Sequence, residues 1–245
     1  MKQINSKLFL LFVCLVMAFS SCKKEKQPEP TPDNPYTCTS CVHSPEARAE
    51  YDHSSRGVYK GILVASTGTV RFDIGNNDNT ISAVMTIDNN AVTLSSDIEW
   101  RVNEPYIASF TGVLDGQAIN ITFSVQADGS DARITASSIP GHAYPNFTIV
   151  KETSDALIEA FEGEYSVSNG KKGTFNIIQS RTLKKWGGIA REQGTHDDDY
   201  ISGTLNSNTI LQDGKEIGML KGDELSGSFI DKKGNTVTFS GKRTL

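Results

Sequence analysis

Short segments in which apolar and polar residues alternate are the feature of this sequence that most restricts its fold. Alternation with a period of two runs through residues 69–74, 119–126 and 236–240. This period indicates strands with one buried and one solvated face, as in antiparallel sheets. Turn dipeptides such as Asp115-Gly116 and Asp213-Gly214 separate the segments at short intervals, which favours hairpins that follow one another along the chain.

The two halves of the chain resemble one another, which indicates an internal repeat. Residues 68–74 resemble residues 173–178, and residues 110–124 resemble residues 225–240. A half of about 90 residues with six to eight short strands is enough for a closed or nearly closed barrel, and closure removes exposed sheet edges. The sequence therefore predicts an all-β fold with two tandem small antiparallel meander barrels or sandwiches. The competing interpretation is one larger barrel or sandwich that spans both halves.

A short helix is predicted ahead of each β domain. Capping residues and apolar spacing predict helices over residues 44–50 and 153–161. The first β domain is then expected over residues 44–150 and the second over residues 151–245. A meander that follows a short helix is similar to lipocalin- and avidin-like barrels. This resemblance concerns the architecture alone and implies a fold rather than a function.

The first 21 residues have the organisation of a signal peptide. Lys2 and Lys7 precede an unbroken apolar run of 12 residues, from Leu8 to Phe19. A transmembrane helix needs about 18 or more apolar residues, whereas a run of this length behind a positive start is typical of a signal peptide.

A segment that resembles a lipid attachment site follows the apolar run. Ser20, Ser21 and Cys22 resemble a bacterial lipobox, in which the chain is cut before a cysteine that becomes acylated. The resemblance implies lipid attachment at Cys22, with palmitate among the acyl chains. The pattern departs from the commonest one at Phe19, where Leu is usual, and at Ser21, where Gly or Ala is usual. The alternative is an ordinary secretory signal in which Cys22 has no special role.

Residues 22–43 are expected to form a tether between this anchor and the first β domain. Half of the 8 prolines lie between residues 28 and 35, in a segment without other apolar side chains, which favours an extended spacer. At about 3.1 Å per residue, residues 23–37 span roughly 45 Å. The charged residues directly after Cys22 resemble the export tags of some gram-negative lipoproteins. We therefore expect a cell-envelope protein anchored in the outer membrane, on its periplasmic or its surface side.

Cys38 and Cys41 are the two cysteines that remain for thiol chemistry if Cys14 leaves with the signal and Cys22 carries lipid. Outside the cytoplasm such a pair predicts a local disulfide. A zinc site with His43 lacks a fourth ligand, and a redox-active pair normally lies at a helix start beside a βαβ sheet. Both remain as alternatives.

A cluster of acidic residues beside an imidazole is the candidate metal site. His196, Asp197 and Asp199 lie within four positions of one another, and oxygen-rich clusters suit calcium or magnesium. A solvated acidic loop is the favoured interpretation, because no loop with ligands at alternate positions follows.

Three residues are candidates for ligand binding. Trp186 and Trp100 offer aromatic rings of the kind that stack on sugars or bases. Lys185 places a positive charge beside Trp186. In the alternative interpretation, Trp186 caps the core at a strand end while the lysine stays in water.

The sequence favours binding over catalysis. Its net charge is −5, with 24 basic and 29 acidic residues and no cationic cluster, which excludes the usual surface of a nucleic-acid-binding protein. It lacks a Gly-x-Ser-x-Gly elbow and a phosphate-binding loop, and we expect no cofactor. We expect a lipid-anchored envelope protein whose β-barrel-like domains bind a small apolar ligand, a glycan or a protein partner. The alternatives are an accessory glycan- or lipid-acting enzyme, a thiol-redox protein that uses Cys38 and Cys41, and an interaction or inhibitor module.

Overall fold

Antiparallel strands make up almost all of the regular structure in this computed structural model, which describes residues 35–64 and 68–245. The first eight strands are β1 (Gly57–Val64), β2 (Gly68–Ile74), β3 (Ile81–Ile87), β4 (Asn90–Ser95), β5 (Tyr106–Leu114), β6 (Gln117–Val125), β7 (Arg133–Ser138) and β8 (Asn146–Lys151). The next eight are β9 (Glu159–Val167), β10 (Lys172–Ser180), β11 (Lys185–Glu192), β12 (Asp198–Asn206), β13 (Thr209–Gln212), β14 (Lys215–Lys221), β15 (Glu224–Ile230) and β16 (Thr236–Arg243).

The two sets of strands form two separate sheets. In the first sheet the order is β7-β6-β5-β4-β3-β2-β1-β8, and its two edge strands approach one another. In the second sheet β9 pairs with both β10 and β16, which closes the barrel. The predicted all-β fold with two tandem antiparallel barrels is confirmed, and a single large barrel is not formed.

Neither predicted helix forms. Ala49–Tyr51 is only a short 3-10 turn, and most of the second predicted helix belongs to strand β9 or to the turn before it. The apolar residues that suggested a helical face serve two different cores instead. Ile158 packs between the barrels, whereas Phe161 points into the second barrel. In the described part of the chain, no helix is long and apolar enough to cross a membrane.

The internal resemblance corresponds only in part to equivalent strands. Residues 68–74 and 173–178 lie in β2 and β10, each of which is the second strand of its sheet. Residues 110–124 lie in the fifth and sixth strands of the first sheet, whereas residues 225–240 lie in the seventh and eighth strands of the second. The second resemblance therefore reflects a shared hairpin pattern rather than a shared position.

The interior of the first barrel is filled by aromatic side chains. The rings of Phe72 and Phe123 are stacked with their centroids 4.5 Å apart. Phe110 meets Phe72 edge-on at 5.0 Å, and Tyr59 meets Phe123 at 5.1 Å. All four side chains are fully buried within one apolar cluster, so this interior is a packed core.

Strand β1 is buried on both faces and joins the two barrels. Leu63 points into the first barrel, whereas Ile62 packs against Ile158 and Ile178 of the second. The side-chain amide of Asn176 donates hydrogen bonds to the backbone of the first barrel, at 2.7 Å to the Leu63 carbonyl.

A buried ion pair lies on the outer face of β1. Lys60 and Glu152 are both fully buried, with Nζ and Oε2 2.7 Å apart. The Glu152 carboxylate also accepts hydrogen bonds from the backbone N–H groups of Glu46 and Ile158, at 2.7 and 3.0 Å. This pair therefore links the first barrel, the segment before it and the connection between the barrels.

We expect Glu152→Gln to lower the free energy of unfolding by about 3 kcal/mol, because it leaves the Lys60 ammonium buried without its main partner. Chemical denaturation measures the change. The matched control is Glu50→Gln, which breaks an exposed ion pair with Arg48 and is expected to cost less than about 1 kcal/mol. Adding Lys60→Met to the Glu152→Gln variant removes the buried charge and is expected to restore part of the stability. Equal losses in the two single variants would contradict the structural role of this pair.

Candidate functional site

An apolar cavity of about 220 Å³ lies inside the second barrel, towards one open end. Strands from the whole circumference contribute to its wall. The lining residues are Tyr165, Val167, Phe175, Ile177, Trp186, Ala190, Asp199, Ile201, Ile210, Gln212, Ile217, Leu225, Phe229, Asp231, Val237 and Phe239. A concave, mostly apolar site with a few polar groups is the usual form of a small-molecule site.

Glycines at inward positions make room for the aromatic rings that line this cavity. A Cβ atom at Gly227 would lie 2.6 Å from Cζ of Phe239, and one at Gly218 would lie 2.7 Å from the same atom. A Cβ atom at Gly163 would lie 2.6 Å from Cζ of Phe175. The tips of the two rings therefore lie against glycine backbone, in space that larger side chains would occupy.

The opposite end of the second barrel is closed by a buried polar cluster. Arg243 is 2% exposed, and its Nη1 lies 3.3 Å from Glu159 and 3.5 Å from Asp223. Glu159 also accepts hydrogen bonds from Gln179 and Arg181, at 3.1 and 3.0 Å. The barrel therefore has one closed end and one end that is accessible to a ligand.

The segment that carries the cysteine pair lies over this closed end. Cys38 and Cys41 are joined by a disulfide with a Cα–Cα distance of 5.4 Å. The Cys38 N–H donates to Asp223 at 2.9 Å, and the Tyr36 hydroxyl donates to the Arg243 carbonyl at 2.9 Å. The last part of the predicted tether is thus bound to the second barrel.

The open end carries two carboxylates and a tyrosine. Burial, followed by the charges of Glu192 and Asp199, raises the pKa of Tyr165. Hydrogen bonds from Asn235 and from the Lys233 backbone N–H hold the pKa of Asp231 below its usual value. Asp199 is exposed, and among the described residues no donor lies within hydrogen-bond distance of its carboxylate. The rim of the cavity is therefore acidic.

The structure separates the three predicted ligand-binding residues. Trp186 lines the cavity, is 6% exposed and donates a hydrogen bond from Nε1 to the Leu211 carbonyl at 3.1 Å. Lys185 is exposed at the start of β11 and does not line the cavity. Trp100 belongs to the first domain, where it donates to Ser55 Oγ at 2.7 Å and lies under the guanidinium of Arg56. The predicted lipid attachment site, Cys22, lies outside the described residues.

The predicted metal ligands do not converge. No group of three or more His, Cys, Asp or Glu side chains suited to a metal ion occurs in the described part of the chain. His196 packs against Tyr144, with ring centroids 4.6 Å apart, whereas Asp199 lines the barrel cavity. The three side chains have different surroundings, because alternate residues of the loop and of β12 point in different directions.

A wider groove of about 880 Å³ lies between the loop of residues 139–145 and the wall of the second barrel. Its main cation, Arg191, is already engaged by Asp198 at 2.6 Å and by the Tyr144 carbonyl at 3.1 Å. Burial raises the pKa of Asp198, but hydrogen bonds from Arg191 and Asn146 outweigh this effect and hold it below its usual value. The polar groups of the groove therefore fasten the loop to the barrel, which leaves the cavity as the better candidate site.

Most residues of the cavity lining carry no sequence signal of a binding site. Phe239 and Val237 belong to a recognised alternating segment, but alternation identifies the inward face without the space in front of it. The sequence predicts Asp199 only as a metal ligand, together with its neighbours. The signal that distinguishes it is position, since it precedes inward Ile201 by two residues and opposes Ala190 across the β11–β12 ladder.

No model of a known protein family matches this sequence, and no curated protein sequence matches it significantly.

We expect Gly227→Ala to lower the free energy of unfolding by about 1–3 kcal/mol. The new methyl group would clash with the Ile217 carbonyl oxygen and lie 2.6 Å from Cζ of Phe239, so both the β14 backbone and the ring must move. Gly187→Ala is the control, since a Cβ atom there meets no atom closer than 3.6 Å, and its effect is expected to stay within about 0.5 kcal/mol. Urea denaturation of both variants measures the difference. A tolerated Gly227→Ala would show that this side of the barrel is not tightly packed.

Proposed function

We propose that this protein is a lipid-anchored cell-envelope protein that binds a small apolar ligand inside its second barrel without chemical conversion. The single observation that carries the binding proposal is the apolar cavity of about 220 Å³ at the open end of that barrel. The filled interior of the first barrel supports a structural role for that domain.

The volume and the lining of the cavity limit the size and the polarity of the ligand. An apolar cavity of about 150 Å³ is large enough to bind benzene, so this one suits a body of roughly six to ten carbon atoms. Aromatic and aliphatic side chains form most of the wall, and polar side chains are few. Each methylene that enters contributes about 0.8 kcal/mol, which gives a dissociation constant on the order of 1 mM for a six-carbon chain.

Hexan-1-ol is a suitable first probe, and Trp186 is the reporter because it lines the cavity. In a Trp100→Phe variant, we expect saturable changes in tryptophan emission on titration with hexan-1-ol. The melting temperature of the unaltered protein is expected to rise with ligand concentration, because the ligand binds the folded state.

We expect Ala190→Leu to abolish this response, because the larger side chain occupies the cavity. The control is Ser202→Leu, which adds a similar apolar side chain at an exposed position of the neighbouring strand β12 and is expected to bind as before. Melting without ligand establishes that both variants are folded. Unchanged binding by a folded Ala190→Leu variant would place the site elsewhere, and the absence of any binding to the unaltered protein would overturn the proposal.

The anchor is supported by the apolar run of residues 8–19 and by the lipobox-like residues before Cys22. More than one acyl chain gives stable membrane attachment without a transmembrane helix. Metabolic labelling with palmitate in a gram-negative host is expected to label the full chain and not its Cys22→Ala variant. Equal labelling of both would overturn the lipid anchor while leaving the binding proposal untouched.

A further inference from the structure

The acidic rim of the cavity restricts the chemistry of a ligand more than the apolar wall does. Two charged residues line the cavity, Asp199 and Asp231, and both are carboxylates. The lysines of the adjoining β15–β16 turn, Lys232 and Lys233, are exposed and outside the lining. A ligand whose apolar body fills the barrel therefore places its polar end beside negative charge.

The two carboxylates differ in their availability. Asp231 accepts hydrogen bonds from the backbone N–H groups of Lys233 and Asn235, both at 2.8 Å, and from the Asn235 side chain at 2.9 Å. Its oxygens therefore stabilise the turn. Asp199 has no such partner among the described residues, so its carboxylate is available to a ligand.

Aromatic rings surround the same end of the cavity. Tyr165, Phe229 and Phe239 contribute to the lining, and the Phe229 and Phe239 ring centroids are 6.2 Å apart. The faces of aromatic rings attract cations, and this attraction is the common basis for recognising ammonium groups. The net charge of −5 also favours the approach of a cation over that of an anion.

From these observations we infer that the cavity prefers an amphiphilic cation, with an apolar body in the barrel and an ammonium group beside Asp199. This inference rests on the proposed binding function and names its ligand class. Fatty acids and other apolar anions are disfavoured, because their carboxylates would face Asp199 and Asp231.

Three probes with the same chain length test the preference: hexylammonium, hexan-1-ol and hexanoate, each titrated at pH 7 and low ionic strength. We expect hexylammonium to bind about two- to fivefold more tightly than hexan-1-ol, as for a partly solvated ion pair, and hexanoate to bind more weakly than hexan-1-ol. The preference is expected to shrink in 1 M salt, because exposed charges are then screened.

Asp199→Asn is expected to remove most of the preference for hexylammonium, measured within the variant as the ratio of the dissociation constants for hexan-1-ol and hexylammonium. Continued binding of hexan-1-ol shows that the cavity still forms. Asp197→Asn is the matched control, because it removes the same charge from an exposed neighbour that does not line the cavity. We expect it to retain the preference. An equal effect of both variants would overturn the assignment to Asp199.

The outcomes also separate this inference from the proposed function. Binding of hexan-1-ol without any preference for hexylammonium would overturn the cationic ligand and leave the apolar site standing. Failure of all three probes to bind would overturn both.

Discussion

The burial of strand β1 on both faces is the constraint on which the arrangement of the two barrels depends. One face belongs to the core of the first barrel, and the other packs against the second. Lys60 lies on that second face, so its charge requires the buried carboxylate of Glu152. The same carboxylate binds the backbone on both sides of the first barrel. The Lys60–Glu152 pair thus connects the segments before and after the first barrel to strand β1, together with the second ion pair of Lys60, with Glu46 at 3.2 Å.

The two barrels have a similar strand plan and different interiors. In the first, four aromatic rings meet one another and fill the centre. In the second, rings such as Phe239 lie against inward glycines, and the space before them stays open. Unfilled space costs stability, since close packing would add dispersion contacts. Its presence beside an open end, rather than in a sealed core, is the feature that distinguishes the second barrel from the first.

Local alternation predicted the all-β class and several strands, because it reports directly which side of a strand is buried. The predicted helix over residues 153–161 was wrong because Ile158 and Phe161 face two different cores, and a single sequence does not show that a second core lies beyond the strand. The cavity could not be predicted from the sequence for a related reason. Its volume depends on pairs such as Gly163 with Phe175 and Gly227 with Phe239, which barrel closure brings together from separate strands.

The contact between residues 36–42 and the last strand has a consequence for the order of assembly. Tyr36 and Val42 bind Arg243, at sequence separations of 207 and 201. During synthesis from the N-terminus, residues 36–42 gain these partners only after residues 223–243 have been made. Contacts between distant parts of a chain form late and slowly. The disulfide-bearing segment therefore takes its native position only after strand β16 has been made, late in the assembly of the second barrel.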